Sequence, residues 1–386
     1  MLTSFSELEN ELESIKQQNL YRSRRVITTA QGVKIKLDGK SVINFSSNDY
    51  LGLANHPRVI ESFKKAADQY GVGSGSAHLI CGHGTSHCAL EEELAAFTGR
   101  KKALLFSTGY MANMGVISAL LKRGDQVFED RLNHASLIDG GLLSGAKFKR
   151  YLHNDLDDLQ HKIQVTVKRT LIVTDGVFSM DGDLALLAEL SQTAKKNNAW
   201  LMVDDAHGFG VLGKNGGGIV EHYGLTADDV PVLMGTLGKG FGTFGAFVAG
   251  SDVLIETLIQ KARSYVFTTA LPAAIAEATR TSLNILITEN WRRDKLFQLL
   301  ARFRKGAKQL GLQIMPSASA IQPILVGSSE KVMQISHDLF EQGFLVSGIR
   351  PPTVPNGQAR LRITFSSEHE EPQIDQLLDA LETILL

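Results

Sequence analysis

Apolar and polar positions change their period along this chain, and the changes mark its elements. Residues 6–20 set apolar side chains at helical spacing among glutamates, which predicts one amphipathic helix. VKIKLDG (33–39) and VINFSS (42–47) have strand character, and Asp38-Gly39 between them is a turn signal, so a strand pair is expected. From about residue 88, helix and strand patterns alternate. ALEEELAAF (89–97) and GYMANMGVISALL (109–121) have helical period, whereas KALLF (102–106) and QVFED (126–130) are extended. RTLIVTDG (169–176) and AWLMVDDAH (199–207) are short, nearly continuous apolar runs, the pattern of parallel strands buried on both faces. A helical stretch over 183–198 lies between them, and VPVLMGTLG (230–238) and GAFVAG (245–250) continue the series.

Near Pro272 the pattern changes. A long helical period runs over 273–309, followed by strands at IQPILVG (321–327), FLVSGI (344–349) and ARLRITF (359–365), with helices at about 330–342 and 371–385. Repeated strand–helix units imply an α/β fold with a mostly parallel sheet. The expected organisation is an N-terminal arm with a helix and short strands (1–45), a large α/β domain (46–275) and a smaller α+β domain (276–386).

Composition narrows the class. A chain of 386 residues, 43% hydrophobic and 21% charged, is long enough for a large core. Its 40 basic and 41 acidic residues leave no excess that points to nucleic acid or an anionic membrane. The N-terminus lacks the basic flank and apolar run of a signal peptide, and no stretch approaches the ~20 apolar residues of a membrane span. Cys81 and Cys88 are the only cysteines, too few for a disulfide framework, so a reducing cytoplasm is expected.

Candidate chemistry falls at the C-terminal ends of the predicted strands, the edge where open α/β sheets bind ligands. In VDDAHGFG (203–210), Asp204 could keep a cofactor nitrogen protonated and His207 could bond a phenolic oxygen; a polar strand end with a helix cap reads equally well. In GTLGKGFG (235–242), Lys239 sits among glycines after an apolar strand. A desolvated lysine there is a carbonyl nucleophile, and a solvated loop lysine is the ordinary alternative. STGYMANMG (107–115) opens a helix at Gly109 and Tyr110, where free N–H groups favour a phosphate, with Thr236 placed to add a hydroxyl. His134 begins a helix in RLNHASLIDG (131–140), where it could stack on a flat ring or simply cap.

Two decoys accompany these signals. Gly208–Asn215 nearly spells a P-loop, but Asn215 stands where magnesium needs Ser or Thr. His78, Cys81, His83, His87 and Cys88 have metal-ligand chemistry without the usual zinc spacing, so no metal is expected. Taken together, a phosphate-binding helix start, a ring-stacking His, an Asp/His strand end and a Gly-flanked Lys form the set needed to hold pyridoxal phosphate.

The chain resembles the α-oxoamine synthases, within the fold type I pyridoxal phosphate enzymes, over nearly its whole length. FSSNDYLGL (45–53), GSGSAHLICG (73–82), LEEELAAFTG (90–99), DGVFSMDGD (175–183), VDDAHGFGVLG (203–213), GKGFG (238–242) and IRPPTVPNGQARLRITFSSEH (349–369) carry the resemblance. IRPPTVP most resembles the branch that condenses L-alanine with a pimeloyl thioester, on coenzyme A or acyl carrier protein. It is less like glycine C-acetyltransferase or 5-aminolevulinate synthase.

The resemblance implies a homodimer and a set of roles. Lys239 would form the Schiff base with the cofactor and later move the Cα proton. Asp204 would pair with the pyridinium nitrogen, His207 would contact the ring hydroxyl and His134 would stack on the ring. Gly109, Tyr110 and Thr236 would surround the phosphate, and Ser179 would touch the cofactor. Thr268 or Thr269 would reach the cofactor phosphate of a neighbouring subunit. Arg350, with Asn48 beside it, would bind the amino-acid carboxylate. Arg22 and Thr353 would contact substrate, with Arg24 and Arg25 close by in sequence. Asp175 stands where some members carry Glu.

Overall fold

The computed structural model describes residues 5–18, 20–163 and 168–385. An amphipathic helix, Ser6–Gln17, opens it. The predicted span reached residue 20, and of that stretch Asn19 lies outside the described residues. The hairpin forms as expected from β1 (Lys34–Leu37) and β2 (Lys40–Asn44), turning at Asp38 and Gly39 with positive φ at both.

The central sheet follows. Its strands are β3 (Lys102–Phe106), β4 (Gln126–Asp130), β5 (Lys147–Tyr151), β6 (Thr170–Asp175), β7 (Trp200–Asp204), β8 (Val232–Thr236) and β9 (Ala246–Gly250). Among the described residues they lie in the order β3-β9-β8-β7-β6-β4-β5. The pairs from β8 across to β5 are parallel, and β9 runs antiparallel to both its neighbours.

The continuous apolar runs are explained by two cores, one on each face. Alternate residues of one strand belong to different cores: Ile172, Leu201, Val203 and Leu233 to one, Leu171, Val173, Met202 and Met234 to the other. Helices Gly109–Leu120 and Asp252–Lys261 close the second face with Val116, Ile117, Ile255 and Leu258. Helices Thr85–Phe97, Leu187–Lys196 and Ala273–Thr288 lie on the first. That first core continues without a break into the C-terminal elements through Phe303, Ile321, Leu361 and Leu377.

The C-terminal part holds β10 (Ile321–Gly327), β11 (Phe344–Leu345), β12 (Ser347–Ile349) and β13 (Ala359–Thr364). β10, β13 and β12 form one antiparallel sheet, while β11 pairs in parallel with β2. The N-terminal hairpin therefore shares a sheet with a distant strand, Phe344 lying opposite Ile43, a pairing that local pattern does not encode. FLVSGI was expected as one strand; it divides at Val346, one half serving β2 and the other β13. The long helical pattern also divides, into Ala273–Thr288 and Trp291–Gln309. β5, reading KFKRY, escaped the sequence pattern because it is an edge strand with charged, partly exposed positions. No helix among the described residues is long and apolar enough to cross a membrane.

Candidate active site

The parallel strands deliver their C-terminal ends to one edge. Asp175 ends β6 and Asp204 ends β7, directly opposite each other in register. Thr236 ends β8, and the turn after it carries Lys239. The loop after β4 carries His134, which caps helix Ala135–Leu143 by accepting from the Ser136 amide. The loop after β3 leads to Thr108, whose hydroxyl accepts from Met111 N at 3.2 Å and caps helix Gly109–Leu120.

Lys239 is the centre. Its Nζ lies 2.9 Å from His207 Nε2, and His207 Nδ1 lies 2.6 Å from the Tyr50 hydroxyl. Tyr50 donates to Asn48 Oδ1 at 3.1 Å, and Arg362 donates to the same oxygen at 3.2 Å. Proton bookkeeping fixes the direction of this chain. A lysine ammonium only donates, so Nε2 of His207 accepts; Nδ1 then carries the ring proton and donates to Tyr50, freeing the phenol to donate to Asn48.

Burial sets the charges. It pulls the Lys239 ammonium down to about 8, against the attraction of Asp204 and Asp175. It also pulls His207 well below the usual imidazole range, with Lys239 and Arg362 adding to the effect, so that ring is neutral. His134 is lowered by burial as well. Burial and the neighbouring Asp204 push Asp175 well above the carboxylate range. Tyr50 is pushed up to about 12 by burial and stays a phenol.

Asp204 is held in place for a cationic partner. Its Oδ2 accepts from Asn113 Nδ2 at 2.7 Å and its Oδ1 from Ala206 N at 3.0 Å. Asn113 also donates to Ser136 Oγ at 2.8 Å, which in turn lies 2.8 Å from His134 Nδ1. Asp175 Oδ2 accepts from His134 N at 2.9 Å, so an aspartate reaches far enough at this position. Ser179 meets the same cluster through its carbonyl, which accepts from Arg362 Nε at 2.6 Å.

Gly109 and Thr236 adjoin. A Cβ on Gly109 would stand 2.7 Å from Thr236 Cγ2, so only glycine lets the helix start lie against the end of β8. Tyr110 turns outward, its hydroxyl bonded to Asp139 and its ring edge-on to His134 at 6.2 Å. A nucleophilic lysine, a held carboxylate, two imidazoles and an open helix start fit the cofactor that the sequence expectation named.

Arg22, Arg350 and Thr353 form a second group. Arg22 Nη2 lies 3.5 Å from Thr353 Oγ1 although 331 positions separate them. Arg350 donates to Tyr21 O at 3.1 Å, and its guanidinium is lowered by burial and by the nearby Arg22 charge. Arg25 is engaged elsewhere, by Asp38 at 2.7 Å. Thr268 lies half-buried beside exposed Phe267, and Thr269 bridges Ala77.

Sequence reasoning passed over Tyr50, Asn113, Ser136 and Arg362. Tyr50 and Arg362 lie inside segments that had drawn attention, but their direction is a matter of register. The amides of Gly210, Val211 and Leu212 bond within the 208–216 turn and Asn215 N bonds to Glu221, so these four are not turned inward as the amide ring of a P-loop. His83 meets His78 on one edge of its ring at 2.8 Å and Cys88 on the other at 3.2 Å, and His87 is engaged by Gly84 N and Leu271 O. Among the described residues no three such groups converge as metal ligands.

Comparison with known proteins agrees with this geometry. Residues 40–381 match the family model described as aminotransferase class I and II. The 8-amino-7-oxononanoate synthase of Saccharophagus degradans is 62% identical over 383 residues, covering 98% of this chain and 96% of the relative. That of Nitrosococcus oceani is 57% identical over 376 residues, covering 97% and 100%. Among solved structures, serine palmitoyltransferase from S. paucimobilis, with PLP and myriocin bound, superposes with a TM-score of 0.93 at 30% identity, covering 100% and 98%. The 8-amino-7-oxononanoate synthase of Francisella tularensis superposes at 0.79 with 34% identity, covering 89% and 97%.

Proposed function

We infer the reaction from one premise: the chain belongs to the class I and II aminotransferases and, within them, to the 8-amino-7-oxononanoate synthases. It is a pyridoxal phosphate-dependent acyltransferase of biotin biosynthesis, condensing L-alanine with pimeloyl-CoA to 8-amino-7-oxononanoate, carbon dioxide and free thiol. The observation that carries the reading is the chain Lys239–His207–Tyr50–Asn48–Arg362 at the C-terminal edge of the sheet.

When bound, the cofactor supplies an electron sink for negative charge at the alanine Cα. Lys239 would attach it covalently. Asp204 would hold its ring nitrogen protonated, His134 would lie against the ring and His207 would face its hydroxyl. Gly109, Tyr110 and Thr236 would surround its phosphate, using the free N–H groups of the helix start. Ser179 would complete its surroundings.

The protein's own steps follow from position. Arg362 is a buried guanidinium whose charge is felt at Lys239, and we assign it the alanine carboxylate. This moves that role from Arg350 to Arg362; Asn48, expected beside the former, accepts a hydrogen bond from the latter. Nζ of Lys239, a free amine once alanine has displaced it, takes the Cα proton and later returns one. Burial of Lys239 disfavours its ammonium, which suits an amine that must take up and give back a proton. Arg22, Arg350 and Thr353 suit the distal carboxylate of the pimeloyl chain, since two neighbouring guanidiniums gain from an anion.

The enzyme acts as a homodimer in this reading, with Thr268 reaching the partner's cofactor phosphate; exposed Phe267 beside it supports a covered surface. Light scattering tests the dimer. Steady-state rates with pimeloyl-CoA and with pimeloyl-acyl carrier protein test the carrier. For the core of the reading, Lys239→Ala should abolish borohydride-trappable cofactor and lower turnover at least ~10³-fold. Retained covalent cofactor in that variant would overturn the assignment.

A further inference from the structure

Helix Trp291–Gln309 carries two arginines in sequence with opposite fates. Arg292 pairs with Glu289 at 3.0 Å and with Glu368 at 2.6 Å. Arg293, only 4% exposed, bonds only to neutral oxygens: Leu286 O at 2.7 Å, Lys214 O at 3.4 Å and Asn290 Oδ1. About three turns along the same helix, Arg304 donates from Nη1 to Ser317 O at 2.9 Å and to Gln322 Oε1 at 2.8 Å. Neither arginine has a carboxylate partner among the described residues. Both line a cleft of about 940 Å³, with the exposed Lys214 on its rim.

A buried cation held only by neutral acceptors is electrostatically unfinished. The Arg293 guanidinium is accordingly lowered by burial, with Glu221 and Asp294 opposing the shift. Those two carboxylates also line the cleft, but neither forms an ion pair with the arginines. Glu221 is engaged by Asn215 N and Nδ2 and by Gly217 N, and Asp294 is exposed to water. The rest of the lining is apolar: Phe297, which is exposed, and Leu300 share the helix face of the two arginines, and Leu212 comes from the loop that carries Lys214.

We propose that this cleft is a binding site for an organic phosphate, with Arg293, Arg304 and Lys214 taking the phosphate and Phe297 and Leu300 taking its organic body. Guanidiniums with unused N–H groups favour a tetrahedral oxyanion, and the apolar wall favours an ester over bare phosphate. The site goes beyond the condensation reading and stands on different residues. It also touches the active-site loop: Ser319 Oγ donates to Gly182 O at 2.9 Å, three residues after Ser179. The phosphate could belong to the acyl donor or to a separate phosphorylated metabolite.

Calorimetric titration of the cofactor-loaded enzyme with adenosine 5′-monophosphate and with inorganic phosphate tests the site without turnover. Saturable binding is expected, tighter for the nucleotide and weakened roughly tenfold in Lys214→Gln and in Arg304→Gln, the size of one charge-assisted bond. Cofactor absorbance should match the parent in both variants, and melting temperature should match it in Lys214→Gln, whose side chain is exposed. No saturable binding, or equal affinity in parent and variants, would overturn the proposal. Kinetics then separate the sources. Nucleotide competing with the acyl donor, and a raised acyl-donor KM in the variants, supports the donor's own phosphate; a non-competitive effect on kcat supports a separate ligand. Because binding is read without catalysis, failure of the condensation reading leaves this result standing.

Discussion

Tyr50 holds the His207 ring from the side away from Lys239 and accepts the Nδ1 proton that the lysine contact leaves there. Tyr50→Phe leaves the His207 Nδ1–H without its partner in a buried site. A stability loss of about 1–3 kcal/mol is expected, measured by denaturant unfolding, with kcat falling more than the alanine KM rises. Arg362→Lys keeps the charge but loses the planar fork. The alanine KM should rise ~10-fold or more while the acyl-donor KM stays near its parent value; the reverse pattern would return the carboxylate to Arg350. Lys239 titrates near 8 in the cofactor-free site, and the neutral amine is the nucleophile. Stopped-flow capture of the cofactor by the apoenzyme should therefore accelerate with rising pH and level off above about 8.

At the scale of elements, the site depends on close approach between the start of helix Gly109–Leu120 and the end of β8. Gly109→Ala inserts a methyl group 2.7 Å from Thr236 Cγ2 and must push the two apart. Cofactor affinity should weaken roughly tenfold in equilibrium titration, while the fold is retained because the helix start borders the site and not the core. Helix periods, β6, β7 and the Asp38-Gly39 turn were legible because each is a local pattern. β5 was not, since an edge strand has no need of a continuous apolar run. The division of FLVSGI was hidden for another reason: two different sheets compete for one short segment, and only their positions decide.

For the molecule as a whole, buried titrating groups bracket the pH range of stability. Burial alone would lower His153, but hydrogen bonds from its ring to Asp130 and Asp183 outweigh it and push it up to about 10. This raised value means a stabilising contribution that is full below the unfolded value of about 6.5 and is lost as pH rises through 10. Burial of Glu129 raises it to about 8, so stability also falls as pH climbs from about 4.5 toward 8. On the acid side, burial lowers His78 to about 3 and His369 to about 4, so protonation of the unfolded chain destabilises the fold below about 6.5. Melting temperature against pH should therefore peak on the mildly acidic side. His153→Gln should flatten its alkaline limb, and an unchanged limb would show that the pair of aspartates holds no charged imidazole.

Sequence alone determined the strand–helix alternation, the buried strand runs and the chemical types gathered at the strand ends, including Lys239, Asp204, His207 and His134. These are legible because one strand, its following loop and the residue at its end are contiguous in the chain. Only the tertiary structure decided which arginine faces the lysine, that Tyr50 and Asn48 bridge them, and that Arg22 meets Thr353 across 331 positions. In β13, Arg360 and Arg362 point to the same face by alternation. Arg360 binds Asp181, and Arg362 reaches Asn48 and the Ser179 carbonyl. That choice rests on where the strand lies against two distant loops, and spacing along the chain holds no record of it.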